Sequence, residues 1–188
     1  MKVTVIGTGY VGLVSGTCLA DAGHDVLCID SDKRKIEELS KGQVPIYEPG
    51  LEMLLKSNIE AQRLTFSTDV NHGVGSADII FIAVGTPPSE DGSADLSHVL
   101  EVARSIGKAM DSSKVVATKS TVPVGTGDLI RETIQSELDA KHSRIHFMVV
   151  SNPEFLAEGA AVTDFQKPDR IIVGTDSPEA GALMEELY

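Results

Sequence analysis

The 188-residue chain has no tryptophan, and aromatic residues make up only 4% of it. The stacking platform that single-stranded nucleic-acid binders build from aromatic side chains is therefore missing. Positive charge is scarce as well. Sixteen Lys and Arg face 28 Asp and Glu, for a formal net charge of −12, the opposite of the basic footprint that nucleic-acid binding requires. Two cysteines, Cys18 and Cys28, cannot build a disulfide framework or a four-thiolate zinc site. The five histidines show no HExxH or paired-cysteine spacing. His142 and His146 are four apart but flank a helix end and a strand start, so they read as a solvated pair, and no metal is expected. Long apolar runs are also lacking: Ile79–Val84, six residues, falls far short of the ~20 needed to span a bilayer. The chain opens directly as a strand, without the charged region and about 7–15 apolar residues of a signal peptide. Neither nucleic acid nor a membrane is expected as a partner, and the cytoplasm is the expected location.

What is present is globular. Hydrophobic residues at 41% against 23% charged exclude a disordered chain, and the length implies one domain. Short β-rich runs alternate with helical patterns, which predicts βαβ units and an α/β fold: a doubly wound, mainly parallel sheet of the Rossmann-like, dinucleotide-binding kind. Expected strands are Val3–Ile6, Val26–Asp30, Arg63–Ser67, Asp78–Val84, Val115–Lys119, Ile145–Ser151 and Arg170–Gly174. Ile130, Ile134 and Leu138 mark the buried face of a helix over Gly125–Ala140, and Leu96, Leu100, Ala103 and Gly107 that of the helix before it. Ser177-Pro178-Glu179 opens a last helix, whose apolar stripe of Leu183, Met184 and Leu187 is still running at Tyr188. That pattern is expected of a chain cut from a longer one.

Gly7-Thr-Gly9-Tyr-Val-Gly12 follows the first strand and opens a helix, the context that a G-x-G-x-x-G match requires. Gly7 allows the tight turn and Gly9 lets backbone approach a pyrophosphate. Gly12, aided by Gly16, lets the helix lie close on the sheet. Phosphate would then sit among the unsatisfied N–H groups of the helix start. Asp30 ends the second strand, 18 residues beyond Gly12, where an acidic side chain accepts hydrogen bonds from an adenosine ribose and repels a 2′-phosphate. The expected cofactor is therefore NAD. Lys33-Arg34-Lys35 keeps NADP as the lesser reading.

Three more polar segments fall at carboxyl ends of expected strands, where open parallel sheets bind ligands. They are Gly85-Thr86-Pro87-Pro88, Ser120–Gly125 and Asn152–Gly159. Glu154 and Glu158 are four apart, so a helix would project them from one face, one to handle a proton or water and the other to contact ligand. Ser151-Asn-Pro-Glu154 also fits a capping box, which would give these acids a purely structural role.

Together these segments resemble the UDP-glucose/GDP-mannose dehydrogenase family over essentially the whole chain. The resemblance rests on GTGYVG at 7–12, PIYEPGL at 45–51, KSTVPVGTG at 119–127, NPEFLAEGAA at 152–161 and KPDRIIVG at 167–174. Tyr47 and the wording NPEFLAEG look like the UDP-glucose branch rather than the GDP-mannose or UDP-N-acetylmannosamine enzymes. The resemblance implies two NAD-dependent oxidations of a UDP-sugar. The C6 alcohol becomes an aldehyde, a cysteine captures it, a second oxidation gives a thioester, and hydrolysis releases the uronate. It implies cofactor contacts at Gly7, Gly9, Tyr10, Val11, Gly12, Asp30, Lys35, Thr86, Thr121 and Glu158. It implies substrate contacts at Glu154, Phe155, Leu156, Ala157 and Glu158. Thr121 and Glu158 look like the pair that orients a water, with Glu154 assisting as acid or base.

One departure stands out. The family's nucleophilic cysteine lies in a later domain, and neither Cys18 nor Cys28 matches its motif; both read as small buried hydrophobes. Residues 1–188 thus look like the N-terminal cofactor-binding part, without the central helix and the UDP-binding domain, and a homodimer or higher homo-oligomer is expected of the full-length protein. A sister enzyme acting on GDP-mannose or a UDP-amino sugar, and a free-standing NAD-sensing module, are the alternatives.

Overall fold

Residue alternation decides the layers. In β1 (Lys2–Ile6), Val3 and Val5 pack to one side of the sheet and Ile6 to the other. In β4 (Ile79–Ile82), Ile79 and Phe81 oppose Ile80 and Ile82 in the same way. Strands buried on both faces need helices on both faces. The computed structural model, which describes residues 1–188, has them. With β2 (Asp25–Ile29), β3 (Leu64–Ser67), β5 (Lys114–Thr118) and β6 (Phe147–Ser151), six parallel strands run in the order β3-β2-β1-β4-β5-β6. The chain builds outward from β1 to β3, then returns beside β1 with β4. The reversal puts a crevice between the carboxyl ends of β1 and β4, where ligands of such sheets bind.

α1 (Tyr10–Asp21), α3 (Leu51–Glu60), α7 (Ala161–Gln166) and α8 (Pro178–Leu187) contribute to the core on one face. α4 (Val70–Ser76), α5 (Ser97–Ala109) and α6 (Thr126–Ala140) pack on the other. The short α2 (Lys33–Ser40) follows β2, capped by Asp32, whose carboxylate accepts from the Arg34 and Lys35 N–H groups. α1 lies close on the strands because a Cβ on Gly12 would stand 1.9 Å from the Gly7 carbonyl oxygen, and one on Gly16 2.5 Å from the Cys28 sulfur. Ser177 caps α8 through the Ala180 N–H, with Pro178 in its first turn. No helix is long and apolar enough to cross a membrane.

Four expectations change. Residues 170–174 form no seventh strand. Only Ser151 and Gly174 pair, antiparallel, through two 2.8 Å hydrogen bonds, while the Asn152 amide takes the Ile172 carbonyl and Ile171 and Ile172 remain exposed. The fourth strand stops at Ile82 rather than Val84. The buried face of α5 is Val99, Ala103, Ile106 and Gly107; Leu96 precedes the helix, and Leu96 and Leu100 are half-buried. Residues 152–160 are not helical, so Glu154 and Glu158 share no helix face and the capping box does not form. Instead the Glu154 carboxylate accepts from the Leu156 N–H at 2.6 Å, a local turn that competes with helix.

Candidate functional site

At the crevice, Gly7 has φ +103°, and its Cβ would meet the Ala83 carbonyl oxygen at 2.6 Å, so the chain can turn there only without a side chain. Gly9 differs: a Cβ on it would meet nothing within 4 Å. It is the N-cap of α1 and carries no side-chain cap. The orphan N–H groups of that helix start, Tyr10, Val11 and Gly12, therefore lie behind an open surface suited to an anion.

Asp30 stands at the end of β2 with 14% of its side chain exposed. Its Oδ2 accepts from the Thr8 N–H (3.0 Å), the Thr8 hydroxyl (2.7 Å) and the Lys35 ammonium (2.9 Å), and Oδ1 accepts only from the Asp32 N–H (3.1 Å). Burial alone would raise its pKa, but these donors overcome it and hold the carboxyl at about 2. Oδ1, with one N–H on it, keeps one acceptor site free. Beside it opens a cavity of about 310 Å³, walled by Gly7, Asp30, Thr68, Val70, His98 and Val102 among others. Thr8 and the α5 residues His98 and Val102 escaped sequence reasoning. Thr8 is an unspecified position of the glycine motif, and the α5 pair comes from a helix 70 residues away in sequence.

Across the crevice, the Thr86 hydroxyl donates to the Thr121 carbonyl at 2.8 Å and the Ser120 hydroxyl to the Val84 carbonyl at 2.7 Å, which locks the turns after β4 and β5 together. Thr121 itself is exposed. A second cavity, of about 260 Å³, is lined by Lys119, Glu154, Phe155, Phe165, Arg170 and Tyr188 among others. The Arg170 guanidinium lies 5.0 Å over the ring of exposed Phe155. Lys119 is another residue the sequence did not flag: it is 4% exposed, forms no ion pair, and is ringed by Phe81, Phe165 and Tyr188 at 5.6–5.8 Å. Glu154 is half-buried, with Leu156 behind it. Ala157 is fixed through its N–H to Asp164 at 2.9 Å, and Glu158 is exposed next to Tyr10. No hydrogen bond joins Thr121, Glu154 and Glu158 to one another.

The Tyr10 hydroxyl donates to the buried Glu48 carboxylate, so what Tyr10 offers a phosphate is its backbone N–H. Cys18 and Cys28 are free and buried, and burial pushes both thiols up to about 12. Neither can serve as a nucleophile near neutral pH.

A parallel sheet with a reversal beside β1, a glycine turn feeding an uncapped helix, and an ionised Asp ending β2 define a dinucleotide-binding domain. Comparison with known proteins makes this specific. The chain belongs to the UDP-glucose/GDP-mannose dehydrogenase family and matches its NAD binding domain over residues 1–188. It is 52% identical to a UDP-glucose 6-dehydrogenase of Rhizobium meliloti, covering all of this chain and 43% of that one. Among solved structures, it is similar to a UDP-glucose dehydrogenase of Pyrobaculum islandicum (TM-score 0.94, 40% identity, all of this chain and 43% of that one). It is also similar to a GDP-mannose dehydrogenase of Pseudomonas aeruginosa in a ternary complex (TM-score 0.94, 36% identity, all of this chain and 44% of that one). The chain thus spans about two fifths of the length of these relatives.

Proposed function

We propose that residues 1–188 are the cofactor-binding half of an NAD-dependent dehydrogenase that oxidises C6 of UDP-glucose twice, to UDP-glucuronate. The observation that carries the cofactor site is Asp30, ionised and anchored, lining with Gly7 the cavity at the glycine turn. The residues present fit NAD: helix-start N–H groups for the pyrophosphate, Asp30 for the ribose, and the 310 Å³ cavity for adenine. Gly7, Gly9, Tyr10, Val11 and Gly12 take the phosphates through backbone; Lys35 steadies Asp30; Thr86, Thr121 and Glu158 border the nicotinamide side. Bound NAD supplies the hydride acceptor.

On the sugar side, Glu154 has one carboxylate oxygen fixed by the Leu156 N–H, which leaves the other to accept the proton of the C6 hydroxyl. Thr121 and Glu158, from different strand ends, border the space where a hydrolytic water is oriented. Phe155, Leu156 and Ala157 complete the substrate loop. The two thiols of this chain are buried and protonated, so the cysteine that traps the aldehyde belongs to the remainder of the longer protein. The cytoplasm, where free thiols persist, suits both cysteines. Identity of 52% with a UDP-glucose 6-dehydrogenase against 36% with the GDP-mannose enzyme favours UDP-glucose.

The cofactor reading is tested by titrating NADH into the chain and into Asp30→Ala, with melting curves to show that both are folded. Losing charge-assisted hydrogen bonds of about 1.5–3 kcal/mol weakens binding roughly 10- to 100-fold. A folded wild-type chain without NADH affinity refutes it. The substrate reading is tested on the longer protein with a panel of nucleotide sugars, where activity on another sugar alone refutes it.

A further inference from the structure

Glu48 lies in the connection between α2 and α3, within the PIYEPGL run, and is 6% exposed. No Lys, Arg or His pairs with it. Burying a carboxylate without a counter-charge is costly unless hydrogen bonds replace its water, and here they come from two other parts of the chain. Oε2 accepts from the Tyr10 hydroxyl and from the Gly159 N–H at 2.8 Å, and Oε1 accepts from the Val162 N–H at 3.4 Å. The Gly159 N–H is also 3.1 Å from the Tyr10 hydroxyl oxygen, which closes a triangle. Burial alone would raise the Glu48 pKa, but these donors hold it below the ordinary carboxylate range.

The donors are informative by position. Tyr10 is the first residue of α1, directly after Gly9, where the cofactor phosphates are placed. Gly159 directly follows Glu158 and has φ +88°, a conformation that fixes how the loop leaves Glu158. Glu48 itself lines neither the cavity beside Asp30 nor the one beside Glu154.

We infer that Glu48 is a positioning residue: its buried carboxylate ties the α1 start to the loop carrying Glu154 and Glu158, so that the cofactor and substrate sides of the site are held in register. The inference rests on the cofactor reading above and adds a coupling between its two sides. Cofactor bound at the α1 start steadies Tyr10, and through Glu48 it steadies Gly159 and Val162.

Amide hydrogen exchange of the chain with and without NADH tests this, with Glu48→Ala, Glu48→Gln and Tyr10→Phe as variants. Glu48→Ala is expected to speed exchange at Gly159 and Val162 by about tenfold or more, the factor that a lost hydrogen bond to a charged group carries. β1 and β4 amides should stay protected. NADH is expected to slow exchange over residues 152–160 in the wild-type chain but not in Glu48→Ala, and Glu48→Gln, which keeps one acceptor oxygen, to restore part of that response. Tyr10→Phe, which leaves Glu48 in place, should diminish the response while Gly159 stays largely protected. Asp30→Ala separates the two readings: it weakens NADH binding yet leaves unliganded protection at Gly159 unchanged. If NADH protects the loop equally with and without Glu48, or if core amides lose protection in both Glu48→Gln and Tyr10→Phe, the positioning role is overturned. If the wild-type chain binds no NADH, the cofactor reading falls first and the coupling with it.

Discussion

Replacing Lys119 by Met removes an ammonium that the fold holds at a cost. The side chain follows β5, is 4% exposed, forms no ion pair within 4 Å, and has three aromatic rings at 5.6–5.8 Å from its nitrogen. Burial lowers its pKa from 10.5 to about 8, against the opposing pull of the Glu154 charge. A fall of that size corresponds to roughly 3 kcal/mol of lost stability wherever both states are protonated, below about pH 8. Between about pH 8 and 10.5 the unfolded chain binds the extra proton, so stability rises with pH and the cost fades. Attraction to the rings offsets part of it, at about 0.5–2 kcal/mol for a desolvated cation. The size of the gain at pH 7 is therefore less telling than its pH dependence. Lys119→Met, of similar length and without charge, should exceed the wild type in stability at pH 7, and its lead should shrink by about 1 kcal/mol by pH 9. Urea unfolding of both chains at pH 7, 8 and 9 measures the difference, and the cysteine titrations common to both cancel in it. Two stability curves that run parallel from pH 7 to 9 would show that Lys119 is not the desolvated ammonium described.

Gly9 and Gly12 should behave oppositely when each is changed to Ala. The Gly12 Cβ would stand 1.9 Å from a backbone oxygen, so Gly12→Ala should cost about 3 kcal/mol or more in denaturant unfolding. Gly9→Ala meets open space and should change stability by less than about 0.5 kcal/mol while weakening NADH binding; equal effects on both measurements would refute the division of roles. Cys18 and Cys28, with thiols pushed up to about 12, should resist a disulfide reagent at pH 8 in the folded chain and react on unfolding. Fast labelling of the native chain would contradict their burial.

Where residues act through local backbone geometry, the sequence was a good guide. The Gly7–Gly12 turn, the strand-end Asp30 and the Ser177 cap all fall where their spacing put them, because each motif is a few residues long and defined by main-chain shape. Apolar periodicity likewise placed the α6 face of Ile130, Ile134 and Leu138. On α5 it placed half of the face: Ala103 and Gly107 are buried, while Leu96 and Leu100 match the period but precede or flank the buried stripe. The run RIIVG looked like a strand because β-branched residues read alike in a strand and on an exposed bridge. The i, i+4 spacing of Glu154 and Glu158 aligns the two acids only on a helix, and none forms: the Glu154 carboxylate satisfies the Leu156 N–H locally and Gly159 takes a left-handed conformation. Lys119, Glu48 and the α5 wall of the cavity beside Asp30 depend on contacts between distant segments, for which a single sequence carries no periodic signal.

The charge pattern bears on which dinucleotide fits. An acidic chain must hold an anionic cofactor, and Lys35 is the cation nearest to Asp30. In the fold, Lys35 is engaged with Asp30 at 2.9 Å, with 31% of its side chain exposed, so its ammonium is directed at that carboxylate. Asp32 faces α2 as its cap, and the Arg34 N–H serves that cap. The positive potential proposed for the pyrophosphate would therefore come from the uncapped α1 start, a backbone source that substitution of surface lysines does not remove. Asp30 Oδ1 accepts only the Asp32 N–H, which leaves an acceptor site for the ribose in the proposed reading. A 2′-phosphate placed there would confront that carboxylate, held ionised by Thr8, and would have to draw Lys35 away from it. On the reading proposed above, Thr8 and Lys35 fix the acid that would distinguish NAD from NADP.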